Sequence, residues 1–304
     1  MGYRVLITGG SGLLAVNWAL AIHDRYQVML VLHRRRISLS GVETDVFSLD
    51  SLDAITTAFK KHRPDIVVHT VGLTSVERCA DDPTLAQQVN VNMAVNVATV
   101  CAELNIKLVH ISTDHLFSGE NKLVNETDPI APLNSYAQTK AEAEKSVQEV
   151  YPQALIVRTN FYGWGPSYRK SFSDMIIDEL RNLNSITLYQ DVFFTPILIE
   201  TLVNAVHELI DKKSSGVFHI VGDERISKYQ FGLKLAQIFN LDQRLIQMGN
   251  ITDRPDLVHR PKDMSLSNEK VCRALNRKLG NVDEQLRKLL QQEENGYSRQ
   301  VKQL

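Results

Sequence analysis

Through the first half of the chain, short apolar runs alternate with amphipathic stretches. The runs predict strands over Arg4 to Thr8, Gln27 to Leu32, Val42 to Phe47, Ile66 to Thr70, Lys107 to Ser112 and Leu155 to Arg158. Their Val, Ile and Leu content is nearly continuous, which means that both faces are covered, as in a parallel sheet. Between them the spacing of apolar positions predicts helices over Leu13 to Asp24, Leu52 to His62, Thr84 to Leu104 and Tyr136 to Val150. Repeated βαβ units of this kind define a doubly wound α/β domain, predicted over residues 1–162. After about Tyr162 the alternation loosens, and Gly, Pro, Asn and aromatic residues become frequent. Residues 163–304 are therefore predicted to form a smaller, less regular α/β lobe, with Val217 to Val221 returning to the main body as a strand. Ser227 is placed to cap a helix reaching about Phe239, and Val282, Leu286 and Leu289 mark a last helix before a polar tail, predicted to be mobile, from Gln291.

Composition narrows the function classes. At 304 residues the chain can bury a full core. Its 34 basic and 35 acidic side chains leave no drive toward nucleic acid or a membrane surface. Cys79, Cys101 and Cys272 are odd in number and dispersed, which suggests neither a disulfide framework nor a zinc site and fits a reducing cytoplasm. No apolar stretch reaches membrane-spanning length, and the chain starts with a strand and glycines rather than a secretion signal. The nine histidines show no pair at ligand spacing, so no metal is expected. His69 and His110 lie in predicted strands and read as core-edge residues with local hydrogen bonds.

The first strand runs directly into Thr8-Gly9-Gly10-Ser11-Gly12-Leu13-Leu14-Ala15, with a helix immediately after. That context marks a Rossmann-type dinucleotide turn. Gly9 allows the tight turn, Gly12 lets a pyrophosphate approach the backbone, and Ala15 lets helix and sheet come close. The N–H groups of Ser11, Leu13 and Leu14 at the helix start are the candidate phosphate donors. A NAD-selective site would place an acidic residue at the end of the second strand. Here the strand runs into His33-Arg34-Arg35-Arg36, and guanidinium groups of Arg34 and Arg35 can fork onto a 2′-phosphate. NADP(H) is thus the expected cofactor, the alternative being an ordinary solvated basic loop.

A second constellation follows. Thr113 ends the strand that starts at Lys107, and Ser135-Tyr136-Ala137-Gln138-Thr139-Lys140 opens a helix, with Ser135 and Gln138 spaced as a capping box. Tyr136 and Lys140 then lie one turn apart on one face. Reducing a ketone requires a proton at oxygen as hydride reaches carbon. Tyr136 can supply it, Thr113 can hydrogen-bond the developing alkoxide, and Lys140 can lower the phenol's pKa and hold the nicotinamide ribose. A Tyr-x-x-x-Lys pair alone is a weak signal; with the glycine turn and the Thr-bearing strand end it becomes a candidate catalytic set.

These segments, together with Arg63-Pro64-Asp65-Ile66, Val89-Asn90-Val91-Asn92, Ser112 through Gly119, Phe194-Thr195-Pro196 and Arg260-Pro261, resemble the extended short-chain dehydrogenase/reductase family in its dTDP-4-dehydrorhamnose reductase branch. The resemblance implies NADPH-dependent reduction of a 4-keto-6-deoxy sugar on a nucleotide diphosphate, with Thr113, Tyr136 and Lys140 catalytic. It also implies Asp45 and Val46 beside the adenine, and Asn90 positioning the active-site strand end. His115 departs from the aromatic residue usual after Ser-Thr-Asp, and Asn160-Phe161-Tyr162 lacks a tryptophan common in the branch. Thr113, His115, Asn160 and Arg260 are candidate substrate contacts, with Arg254 a further choice for the diphosphate. Tyr162, Trp164 and Phe194 either stack on the ligand or belong to the core. The chain is also similar to the regulatory β subunit of methionine adenosyltransferase, which implies an NADP-binding docking protein as the alternative to an enzyme. A nucleotide-sugar epimerase is a third reading, whereas the related dehydratases carry Glu where His115 stands. The helix over Thr84 to Leu104 has apolar Leu85, Val89, Met93, Val97 and Val100 on more than one face, which allows a homodimer.

Overall fold

The apolar runs of the first half all become strands. In chain order they and their helices are β1 (Arg4–Thr8), α1 (Leu13–Ile22), β2 (Gln27–Leu32), β3 (Val42–Val46), α2 (Leu52–His62), β4 (Ile66–His69), α3 (Val76–Asp81), α4 (Pro83–Gln87), α5 (Met93–Glu103), β5 (Lys107–Ile111), α6 (Ser135–Val150) and β6 (Leu155–Arg158). This computed structural model describes residues 3–304. The strands pair in the order β6-β5-β4-β1-β2-β3, and every pairing among them is parallel. The order reverses between β1 and β4, and at such a switch point the carboxyl ends of the strands leave a crevice for ligands.

Local signals set the helix ends. Ser51 caps α2 by accepting from Ala54 N–H, Asp53 lies in its first turn and Lys60, Lys61 and His62 in its last. These charges complement the helix dipole. Arg63 closes it in the left-handed region (φ 49°), just before Pro64. Helix α6 is capped by Asn134, whose side chain accepts from Ala137 N–H at 3.0 Å, so the cap lies one residue before the expected Ser135. The helix predicted over Thr84 to Leu104 is interrupted by a π turn at Gln88–Asn92 between α4 and α5. Such wide turns collect at functional sites.

The rest of the chain supplies β7 (Phe161–Tyr162), α7 (Phe172–Arg181), β8 (Ile186–Tyr189), β9 (Phe193–Phe194), β10 (Ile197–Leu198), α8 (Ile199–Asp211), β11 (Gly216–His219), β12 (Ile226–Ser227), α9 (Lys228–Ile238), β13 (Ile246–Gly249), α10 (Glu269–Leu275), α11 (Val282–Glu294) and α12 (Tyr297–Lys302). β11 adds a seventh strand beside β6. The chain divides into two units: Met1–Leu116, Pro132–Val157 and Lys213–Phe218 form the first, and Phe117–Ala131, Arg158–Lys212 and His219–Leu304 the second. Paired short strands run through the second unit: β7 with β10, β8 with β13, and β9 with β12. Its core is aromatic. Tyr162, Trp164, Phe194 and Phe231 are buried, with Phe231 against Tyr162 and Phe194 at ring separations of 5.0 and 5.6 Å. Tyr162, Trp164 and Phe194 are thus core residues rather than ligand-stacking ones. Ser227 caps α9 as expected, and does so through a capping box with Gln230. The tail from Gln291 does not run free: α11 continues to Glu294, and α12 follows with Ser298 and Val301 buried. Among the described residues no helix is long and apolar enough to cross a membrane.

Candidate active site

The glycine turn fills the space between β1 and α1. Gly9 adopts φ +71°, and a Cβ there would come within 3.0 Å of the Thr70 hydroxyl beyond β4. Gly10 serves packing: its N–H donates to Val31 O at 2.9 Å, and a Cβ would strike Leu30 at 2.7 Å. Gly12 is the N-cap of α1, with no side-chain cap bond and no acidic residue in the first turn of the helix. A Cβ on Gly12 would meet only the Gly9 carbonyl, at 2.9 Å. The Leu13 and Leu14 amides therefore open a helix start with neither a capping side chain nor a repelling carboxylate, which fits a diphosphate. Arg34 and Arg35 are exposed just after β2, within the same first unit.

Asp45 and Val46 end β3, but the Asp45 carboxylate is committed elsewhere. It meets His62 Nε2 at 2.5 Å and Lys61 Nζ at 3.1 Å, both in the last turn of α2. Burial pushes this carboxyl up, but the bonds from His62, Val46 N–H and Lys61 prevail and hold it down to about 2. This side chain ties β3 to α2. Val46 is exposed.

Asn90 sits in the π turn, 1% exposed. Its amide accepts from Leu73 N–H at 2.7 Å and donates to Leu73 O at 3.2 Å and to Thr139 Oγ at 2.9 Å. It thereby ties the segment after β4 to helix α6. The Thr139 hydroxyl in turn donates to backbone carbonyls of Ser135 and Tyr136 at the start of α6. This link was invisible in sequence because its partners lie 17 and 49 residues from Asn90.

Thr113, Tyr136 and Lys140 converge and are all buried. The Thr113 hydroxyl donates to Asp114 Oδ1 at 3.3 Å and works to lower the Tyr136 phenol. The His115 ring meets the Tyr136 ring edge-on at 5.5 Å, and His115 N–H donates to Thr113 Oγ at 3.3 Å. Lys140 Nζ donates to Ile111 O at 2.7 Å. Burial holds the Lys140 amine down to about 8, with Glu144 working to raise it. Burial raises Tyr136 to about 12 despite Thr113, with Asp114 and Cys79 adding to the rise. The expectation that Lys140 pulls this phenol down is therefore not met: desolvation prevails, and Tyr136 is held as a protonated acid. The remaining expected substrate residues, Asn160 and Arg260, belong to the second unit. The Asn160 carbonyl accepts from Ile197 N–H at 3.0 Å, and Arg260 Nε donates to Val258 O at 3.3 Å. Arg254 forks onto Asp256 at 2.7 and 2.8 Å, which occupies its guanidinium.

A parallel sheet with this switch point, a glycine turn opening α1, and a Thr/Tyr/Lys set at β5 and α6 define a protein of the extended short-chain dehydrogenase/reductase type. Over residues 3–295 the chain matches the family described as the RmlD substrate binding domain, and it belongs to that family. The methionine adenosyltransferase 2 subunit beta of Pongo abelii is 30% identical over 278 residues, covering 88% of this chain and 81% of the relative. The dTDP-4-dehydrorhamnose reductase of Aggregatibacter actinomycetemcomitans is 26% identical over 286 residues, covering 89% and 92%. The crystal structure of dTDP-4-dehydrorhamnose reductase from Bacillus anthracis, in complex with NADP, superposes with a TM-score of 0.85 at 22% identity, over 96% of this chain and 100% of that one. At that identity the likeness is one of fold.

Proposed function

We propose that this protein is an NADPH-dependent reductase of a 4-keto-6-deoxy sugar carried on a nucleotide diphosphate, acting in the cytoplasm, with dTDP-4-dehydrorhamnose as the model substrate. The observation that carries the reading is the Thr113–Tyr136 hydroxyl pair beside buried Lys140, in the same unit as a glycine turn fit for a diphosphate. The family membership and the reductase relative support it.

When bound, NADPH supplies the hydride. Ser11, Leu13 and Leu14 would hold its diphosphate, Arg34 and Arg35 its 2′-phosphate, and Lys140 its ribose. Tyr136 gives its proton to the sugar oxygen, and because an alkoxide is a stronger base than a phenolate, a phenol near 12 still transfers it downhill. Thr113 donates a hydrogen bond to that same oxygen as charge develops there. His115 and Asn160 serve as sugar contacts, and Arg260, within the mainly substrate-binding residues 163–304, meets the diphosphate. Half-buried Leu85, Val89 and Met93, spaced along one helical face, serve as the contact between two copies of the chain. The test is NADPH oxidation by purified protein given dTDP-4-dehydrorhamnose; absence of turnover with this and other keto-sugar nucleotides rejects the reading.

A second reading, an NADP-binding regulatory subunit, is favoured by the 30% identity to methionine adenosyltransferase 2 subunit beta. Co-elution with a methionine adenosyltransferase catalytic subunit, without keto-sugar turnover, would establish it instead.

A further inference from the structure

Beneath the Tyr136–Lys140 pair lies a row of buried polar side chains that the reaction as described leaves unused. Thr8, His69 and His110 stand opposite one another across β1, β4 and β5. Each lies two residues beyond Leu6, Val67 and Leu108, and alternation along a strand therefore puts the row on the same sheet face. Those three leucine and valine side chains pack in one apolar cluster with Val97 and Ala98 of α5 and Ala143 and Val147 of α6. A Val or Leu at each row position would continue that core. Instead the chain places a hydroxyl and two imidazoles there, none more than 1% exposed.

Their hydrogen-bonding capacity is mostly unmet. Thr8 Oγ and His69 Nδ1 lie 2.9 Å apart, and the two imidazoles stack at 5.6 Å with 15° between their planes. Among the described residues, His69 Nε2, both ring nitrogens of His110 and the hydroxyl of Ser112 have no hydrogen-bond partner. Leaving a buried polar atom unpaired costs about 1–3 kcal/mol, so four in one place would be a large penalty for a site that apolar residues could fill. Water with two to four polar partners relieves it. The fifth group at hand is Lys140, whose Nζ donates to the carbonyl of Ile111, the residue between His110 and Ser112. An ammonium carries three donors. Its charge also reaches both imidazoles, working with burial to hold His69 down to about 3 and His110 well below its ordinary value. Neutral imidazoles keep a lone pair free to accept.

We propose that this row encloses internal water beneath the Tyr136–Lys140 pair, and that His110 and His69 act through that water as acceptors for the Lys140 ammonium. They are positioning residues: they touch neither sugar nor dinucleotide and keep the lysine charged in a place where burial works against it. The other groups acting on the pair are Glu144 on Lys140 from α6, and Thr113, Asp114 and Cys79 on Tyr136.

The kinetic part rests on the reductase reading; the lysine titration does not, so the two can fail separately. The side-chain 15N signal of Lys140, assigned by its loss in Lys140→Met, is followed against pH in protein without dinucleotide. The expected midpoint lies near 8 in the parent chain. His110→Phe keeps the ring and removes both nitrogens, and should move the midpoint down by about one unit, a tenfold change in proton affinity. His110→Gln, which restores an acceptor, should recover most of the shift. The alkaline limb of kcat/KM should move by the same amount in a protein that turns over keto-sugar. A folded His110→Phe protein with an unmoved lysine midpoint overturns the proposal. So does a high-resolution crystal structure of the parent chain without ordered water within hydrogen-bonding distance of His69 Nε2, His110 or Ser112 Oγ, a measurement independent of whether the variant folds.

Discussion

Two stretches of strand ends in the first unit are built from opposite materials. At β1 and β2 the proposed working groups are backbone amides released by glycine and arginines exposed to solvent. At β4, β5 and α6 they are side chains, and Asn90, Thr113, Tyr136 and Lys140 are all buried. The difference follows from the task. A phosphate carries full charge before and after binding, so exposed donors and a helix terminus suffice. A group that must change protonation during a reaction answers to its surroundings, and only burial makes a neighbouring hydroxyl or amine matter strongly to it. The first stretch should therefore fail in binding when altered, and the second in turnover.

The largest expected effect is at Tyr136. Tyr136→Phe should lower kcat about 10²- to 10⁴-fold while leaving NADPH affinity nearly unchanged, measured by steady-state rates and fluorescence titration. A variant that loses affinity and rate together would erase the contrast. Thr113→Val comes next, about 10²-fold in kcat, because it removes one donor aimed at the developing oxyanion. Replacing Arg34 and Arg35 together by Ala should weaken NADPH about 10- to 100-fold with kcat retained, since charge-assisted hydrogen bonds to a phosphate are worth about 1.5–3 kcal/mol each. Equal weakening of NADH would show that the arginines do not read the 2′-phosphate.

The smallest effect belongs to the Asp45 tie. Its carboxyl is depressed from 3.8 to about 2, so its contribution to stability is present above the unfolded value and disappears as pH falls from 3.8 through about 2. Asp45→Asn should cost about 1 kcal/mol or less at neutral pH and flatten the acid limb of the unfolding curve. Cofactor affinity should not change. A marked loss of NADPH affinity would return Asp45 to the adenine site.

The same contrast explains what could be read along the chain. The strand–turn–helix at the glycines and the helix carrying Tyr136 and Lys140 are local patterns, set by contiguous residues and helical spacing, and both elements form where those patterns place them, the second capped one residue earlier, at Asn134. Asp45 lies at the place the resemblance pointed to, but its partners Lys61 and His62 come from the far end of α2, and no local rule announces them. His69 and His110 were each legible as strand residues, though the expectation of local hydrogen bonds holds only for His69 Nδ1. That they stand side by side is a matter of sheet register between β4 and β5. Periodicity carried the helix over Thr84 to Leu104 straight through the π turn, because one extra residue hardly disturbs an apolar pattern already spread over several faces.

That turn also limits what the segment tolerates in length. A helix advances about 100° per residue, so deleting one position from Gln88–Asn92 would swing α5 about a third of a revolution relative to α4. Val97 and Cys101 would leave the core or Asn90 would lose its grip on Leu73 and Thr139. A surface helix of the same composition would absorb such a deletion by fraying at its end; here the spacing itself is what lineages of this chain must inherit.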